Sequence, residues 1–290
     1  MAGNIALVLS SGGARGFAHI GVIKVLGKMG YNITSVAGTS MGALVGGIHA
    51  AGRLNEFEEW VTGLDVMEVL KLTDISLGKK GLVKGTKVIE KLKEIVPDRR
   101  IEDLAIPYAA VATDLLRGKE RIFTSGSLFD AIRASISIPT FFQPFRLGND
   151  WYVDGGLVNP IPINRVERGE DDLLAVVDVN ADIPHVPPET ADQEIREQGY
   201  LKRISKINAR AGKHIPKNKM DDIGIFNLNN RSISIMLNQI AALTLRNYRI
   251  DIMVSISREA FGTYDFYKAA DIIREGERAA QAADGLQKPR

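Results

Sequence analysis

Twice in the first 51 residues a short apolar run empties into a glycine-rich junction from which a helical pattern begins. Ile5–Leu9 leads into Ser10-Ser11-Gly12-Gly13-Ala14-Arg15-Gly16, and Phe17, Ile20, Gly21, Ile23, Lys24 and Leu26 follow at helical spacing. Ile33–Ala37 leads into Gly38-Thr39-Ser40-Met41-Gly42, and Met41–Ala51 continues as a stretch rich in Ala, Leu and Val. A short apolar run bounded by turn residues marks a strand buried on both faces. Strands alternating with helices lie parallel in one covered sheet. The two units therefore predict an α/β fold with a mainly parallel central sheet.

The rest of the chain extends that reading. Further helices are expected over 54–64, 86–95, 127–134 and 267–283. Further strands are expected over 108–113 (after Pro107), 121–124, 173–179 and, more weakly, 253–256. Residues 232–248 form an amphipathic helical pattern through Ile233, Met236, Leu237, Ile240, Leu243 and Leu245, a stripe expected to pack into core rather than meet lipid. The stretch 184–231 differs, with Pro184, Pro187, Pro188, Pro216 and many charges. It reads as a variable insertion in one domain spanning 1–290, with a helix near 194–209 and a mobile loop near 213–222. Its two readings are a solvated excursion and a lid or membrane-docking element.

The second junction is a G-x-S-x-G pattern between strand and helix. This pattern exposes a serine hydroxyl on a sharp turn beside the free N–H groups of a helix start. The first junction fits neither G-x-G-x-x-G nor G-x-x-x-x-G-K-[ST], so nucleotide binding is not expected. Its backbone amides suit a transient oxyanion instead. A third element, Trp151-Tyr152-Val153-Asp154-Gly155-Gly156, ends an aromatic and β-branched run in a carboxylate followed by two glycines. Four histidines compete as bases. His49 lies nine residues beyond Ser40 along the helix, roughly 13 Å down the axis and out of reach. His19 lies about a turn into the first helix and is expected to pack or cap locally. His185 and His214 fall in the Pro-rich, charged stretch. A Ser…Asp…His order remains formally available to them.

Taken in order, Gly12-Gly13-Ala14-Arg15-Gly16, Gly38-Thr39-Ser40-Met41-Gly42 and Asp154-Gly155-Gly156 make the chain resemble a patatin-like phospholipase. Ala134-Ser135, Pro139, Phe142 and Pro144 fit the same family, as does the tail from Tyr264 to Ala283. The resemblance implies a three-layer α/β/α fold. It implies a Ser40–Asp154 catalytic dyad without histidine, and an oxyanion hole from the N–H groups of Gly12, Gly13 and Ala14. The implied activity is hydrolysis of lipid acyl esters through an acyl-enzyme. Where this sequence has Ser11 the family usually has a further glycine, and a serine there strains the loop if the position needs positive φ. Arg15 either contacts a phosphate headgroup or ties the loop to a nearby carboxylate. Ile136, Ile138, Phe141 and Phe142 either line an acyl groove or fill core. Two other readings stay open: a His-dependent α/β-hydrolase-type esterase, and a catalytically silent regulatory or binding module on the same scaffold.

Composition trims the alternatives. The net charge of +2 argues against a nucleic-acid partner but tolerates weak attraction to anionic lipid, and so leaves room for peripheral membrane contact; a lipid or fatty acyl ester substrate is the partner that the resemblance implies. The absence of cysteine removes disulfides and thiolate metal sites and fits a reducing, cytoplasmic setting. No signal peptide is expected, because the first strand starts almost at once. Asp171-Asp172 and Asp221-Asp222 lack metal-loop spacing and read as solvated turns, so neither metal nor cofactor is expected.

Overall fold

The computed structural model describes residues 3–72, 83–185, 225–283 and 285–286. Eight strands form one sheet: β1 (Gly3–Leu9), β2 (Tyr31–Thr39), β3 (Tyr108–Asp114), β4 (Lys119–Phe123), β5 (Phe145–Leu147), β6 (Asp150–Asp154), β7 (Leu173–Ala181) and β8 (Ile252–Ser257). The order is β5-β6-β3-β2-β1-β7-β8, with β4 also paired to β3. The five strands from β3 to β8 run parallel, whereas β4, β5 and β6 add an antiparallel margin. The expected strands are all present, each one to four residues longer or shifted at its ends. The short β5 had no sequence signal beyond Phe145 and Leu147.

The described helices are α1 (Ala18–Lys28), α2 (Met41–Ala50), α3 (Leu54–Thr62), α4 (Val66–Leu72), α5 (Thr86–Ile95), α6 (Leu128–Ser135), α7 (Ile225–Leu245) and α8 (Ala269–Gln281). The helix expected to start at Gly16 is entered through a 3-10 turn, Gly13–Phe17. Ser127 starts α6 by accepting the Asp130 N–H, the usual service of an N-cap serine. The helix expected near 194–209 and the loop near 213–222 lie outside the described residues.

Period-two alternation sorts the strands into two cores of unequal thickness. Ile5, Leu7 and Leu9 of β1, Ala175, Val177 and Val179 of β7, and Ile252, Val254 and Ile256 of β8 join one large core with α1, α2, α6 and α8. Val8, Leu174 and Val176 point the other way into a small core closed by Ile161, Ile163 and Ala241 of α7. The architecture is thus α/β/α, and among the described residues one face carries a heavy layer and the other a thin one. The thin layer corrects the expectation for the amphipathic helix. Ala241 is buried, but Met236 and Leu243 of the expected stripe stand in solvent, 56% and 58% exposed.

Candidate active site

Ser40 closes β2 and opens α2 with φ 56° and ψ −123°, a left-handed conformation that costs a non-glycine residue of order 1–3 kcal/mol. A serine at a helix start ordinarily turns its hydroxyl onto the helix amides. Ser40 makes no such cap. Its Oγ donates to Asp154 Oδ2 instead, and its N–H donates to Ser135 Oγ at 2.8 Å. Ser135 in turn donates to Val111 O at 2.6 Å, so the end of α6 pins the turn to β3. Glycine is required around it by contact. A Cβ on Gly38 would lie 2.3 Å from Gly42 O, and one on Gly42 would lie 2.2 Å from Leu9 O.

Asp154 ends the antiparallel strand β6 opposite Ala112 of β3, one register position beyond the Thr39–Val111 pair. Its backbone is fixed by N–H donation to Ser137 O at 3.0 Å and by Thr113 Oγ1 donating to its carbonyl at 2.8 Å. One carboxylate oxygen accepts the Gly156 N–H at 2.7 Å, which leaves the other for Ser40. Burial pushes its pKa up from 3.8 to about 6, against the opposing pull of the Ser40 and Gly156 hydrogen bonds. Such a carboxylate is ionised near neutral pH and yet far more basic than a solvated one.

The glycine loop faces the same point. Gly13 has φ 57°, and a Cβ there would meet Thr263 O at 2.5 Å. Among the described residues the Gly12 and Gly13 amides donate to no acceptor, whereas the Ala14 N–H is committed to Thr263 O at 2.8 Å. Ala14 is thereby withdrawn from the expected set of three oxyanion donors. Ser11 avoids positive φ, so the strain considered for it does not arise. Arg15 is tied into the protein. Its Nε and Nη2 donate to Asn180 Oδ1 at 3.0 and 2.7 Å, and its Nη1 to Phe261 O and Thr263 Oγ1 at 3.0 and 3.3 Å. Burial lowers its pKa, while the charges of Asp178 and Asp265 act in the opposite direction. Asn180, unremarked in the sequence, holds the loop from both ends, because its Nδ2 also donates to Ser11 O. Nothing in Val179-Asn180-Ala181, one asparagine between two apolar residues, announces that role.

Two chambers meet at Ser40 and Gly13. One is almost wholly apolar and runs beneath α2, α3 and α5; Phe57, Trp60 and Leu92 line it, as do all four of Ile136, Ile138, Phe141 and Phe142. The other, the polar chamber, is named for the charged and polar groups it gathers, Asp154, Arg15, Asp178, Asn180 and Arg258; apolar side chains such as Leu157 and Ile161 share its wall, and Asn230, Leu237 and Ala241 of α7 roof it. Thr140, which among the described non-glycine residues shares positive φ with Ser40, donates to Asn230 Oδ1 at 2.6 Å and so fastens the chamber wall to α7. None of His19, His49 and His185 lines either chamber, and His214 lies outside the described residues. His19 Nε2 donates to Ser10 O at 2.9 Å, and burial pushes its pKa down to about 4. Asp172 accepts from Thr34 Oγ1 at 2.8 Å and from the Gly169 N–H at 3.0 Å, a structural turn. Among the described residues no acidic or histidine cluster suits a metal, and no helix is long and apolar enough to cross a membrane.

Comparison with known proteins identifies the family. A sequence model of patatin-like phospholipases matches residues 7–166, which hold all three motifs. An uncharacterized NTE family protein of Mycobacterium tuberculosis is 34% identical over 326 residues, covering 96% of this chain and 91% of its own. Patatin-like phospholipase domain-containing protein 7 of Mus musculus is 32% identical over 184 residues, 61% of this chain and 14% of that one. A crystal structure of VipD from Legionella pneumophila aligns with a TM-score of 0.45 at 15% identity, over 97% of this chain and 66% of that one. Family membership points to lipid acyl hydrolysis, and on the matched motifs and the near full-length relative the chain belongs to the patatin-like phospholipase family.

Proposed function

We propose that the protein is a serine hydrolase of lipid acyl esters working through a Ser40–Asp154 dyad. The observation that carries the proposal is the direct hydrogen bond from Ser40 Oγ to a buried Asp154, at the junction of an apolar and a polar chamber. The acyl chain enters the apolar chamber, and the alcohol or headgroup portion stays in the polar one. Ser40 Oγ attacks the ester carbonyl as its proton passes to Asp154 Oδ2. The oxyanion is met by the Gly12 and Gly13 amides, which need no reorganisation at that moment. Collapse breaks the C–O bond, and Asp154 returns the proton to the departing alcohol. A water then gives its proton to Asp154 and attacks the acyl-enzyme, releasing a fatty acid and restoring Ser40.

The test is labelling with a fluorophosphonate followed by a panel of lipid and p-nitrophenyl esters. Covalent labelling at Ser40 with ester turnover is expected. Absence of both in folded protein overturns the proposal in favour of a silent module. The His-dependent reading is met by His185→Ala and His214→Ala, each expected to keep turnover within about tenfold, because histidine takes no part in the steps above.

A further inference from the structure

We propose that the outer face of α7 docks the protein on an anionic lipid surface. At about 3.6 residues per turn, Ile233, Leu237 and Ala241 share one side of the helix, where they line the polar chamber. Leu228, Ile235, Met236 and Leu243 then fall on the opposite side, exposed by 51%, 56%, 56% and 58%. Exposed leucines occur singly on any protein; a run of four large apolar side chains along one helix face is a different feature. The charge on this element is one-signed. From 225 to 250 the sequence has no Asp, Glu or Lys, but it carries Arg231, Arg246 and Arg249, all exposed. Exposed Tyr248 follows the helix.

A helix with large apolar side chains on one side, arginines beside them and no acidic residue lies in the plane of a lipid interface. Its apolar side chains enter the acyl boundary and its cations meet anionic headgroups. The alternative occupant, a second copy of the same face, would set these arginines against one another across a two-fold axis with no carboxylate on the helix to answer them. The inference goes beyond the hydrolase proposal and gives it a consequence: the wall of the polar chamber is itself the part in contact with lipid. On α4, Met67 and Leu70 are likewise more than half exposed, while Val69 and Leu72 line the apolar chamber.

The experiment is co-sedimentation of the full chain with vesicles of pure phosphatidylcholine and of phosphatidylcholine mixed with phosphatidylglycerol. Light scattering, melting temperature and turnover of soluble p-nitrophenyl butyrate are measured on the same samples. The wild type is expected to bind the mixed vesicles, and less so as salt rises. Combining Ile235→Ser, Met236→Ser and Leu243→Ser should lower partitioning about tenfold or more, with melting and butyrate turnover unchanged. Combining Arg231→Ala, Arg246→Ala and Arg249→Ala should remove the preference for mixed vesicles, and it serves as the second variant if the first does not fold. Three results overturn the inference: no binding by the wild type, serine variants that bind as the wild type does, or a wild-type dimer that the serine variants convert to monomer. Vesicle binding by Ser40→Ala separates this question from catalysis. If vesicles bind but no ester is cleaved, the hydrolase proposal falls and the docking face stands.

Discussion

The two glycine junctions look alike in sequence and are held in opposite ways. The elbow at Ser40 is built mainly by close backbone packing: Gly38 and Gly42 let α2 close on β1 and β2, and Ser135 of α6 adds one distant hydrogen bond to the Ser40 N–H. The loop at Gly12–Ala14 is built from a distance. Its shape comes from Asn180 donating to Ser11 and accepting from Arg15, and from Thr263 accepting from Ala14. A serine that must sit in a strained conformation needs a rigid local frame. An anion cradle needs only that its free amides point one way, which any neighbouring element can arrange. The expectation that follows is that the elbow tolerates no change, whereas the loop degrades by steps.

The largest effect should come at the elbow and its partner. Ser40→Ala removes the proposed nucleophile and Asp154→Asn the proposed base, and each should lower kcat by about four orders of magnitude. Circular dichroism of both variants should stay native, because each substitution nearly conserves volume. Turnover near the wild-type rate by either variant, at matched folding, breaks the dyad.

The loop should respond about a hundredfold, the scale of a displacement of order 1 Å in a donor. Asn180→Ala releases Ser11 O together with Nε and Nη2 of Arg15, so kcat should fall by that factor with KM little changed. Asn180→Asp keeps the acceptor for Arg15 but loses the donor to Ser11 O, and it should recover part of the loss. If KM rises while kcat holds, Asn180 serves the substrate rather than the loop. If only the melting temperature moves, its role is structural.

This difference also explains what could be read from the sequence. Ser40, Asp154 and the alternating strands were legible because each depends on a local pattern: glycine spacing, period-two apolar faces, a strand ending in Asp-Gly-Gly. Asn180 was not, since one asparagine at a strand end carries no sign of a partner 169 residues away. The commitment of Ala14 to Thr263 was equally hidden, for it depends on where the chain after β8 returns. The exposed side of α7 was misjudged for a related reason. Its apolar pattern fits core packing, but among the described residues of the helix Ala241 alone is fully buried, with Leu245 partly buried beside it.

A smaller and graded effect is expected from pH. Asp154 holds its proton up to about 6 in the folded protein, so kcat/KM should fall about tenfold per pH unit below that value. The same shift has a stability consequence. The unfolded chain releases this proton near 4 and the folded one near 6, so above 6 the folded state carries an ionisation cost of about 3 kcal/mol that disappears as pH falls towards 4. Asp154→Asn should therefore melt above the wild type at pH 8, with the gap narrowing below 6 and closing near 4. A constant gap across that range would place the raised pKa elsewhere.

The smallest effect is expected from Arg15, and it decides between the two roles the sequence left open. A headgroup-reading arginine presents its fork to the ligand, where a bidentate pair with phosphate adds both energy and orientation. Here Nε, Nη1 and Nη2 are all engaged by Asn180, Phe261 and Thr263, so the fork points into the protein although the residue borders the polar chamber. Arg15→Gln should then lower turnover of anionic and zwitterionic lipid esters together, through the loosened loop, and leave the ratio of their kcat/KM values within about twofold. A headgroup contact would instead be lost selectively, costing about tenfold or more on the anionic substrate alone. That selective loss would recast Arg15 as a substrate-binding residue and leave the anchoring of the loop to Asn180, Thr263 and the Ser11 N–H donation to Pro160 O.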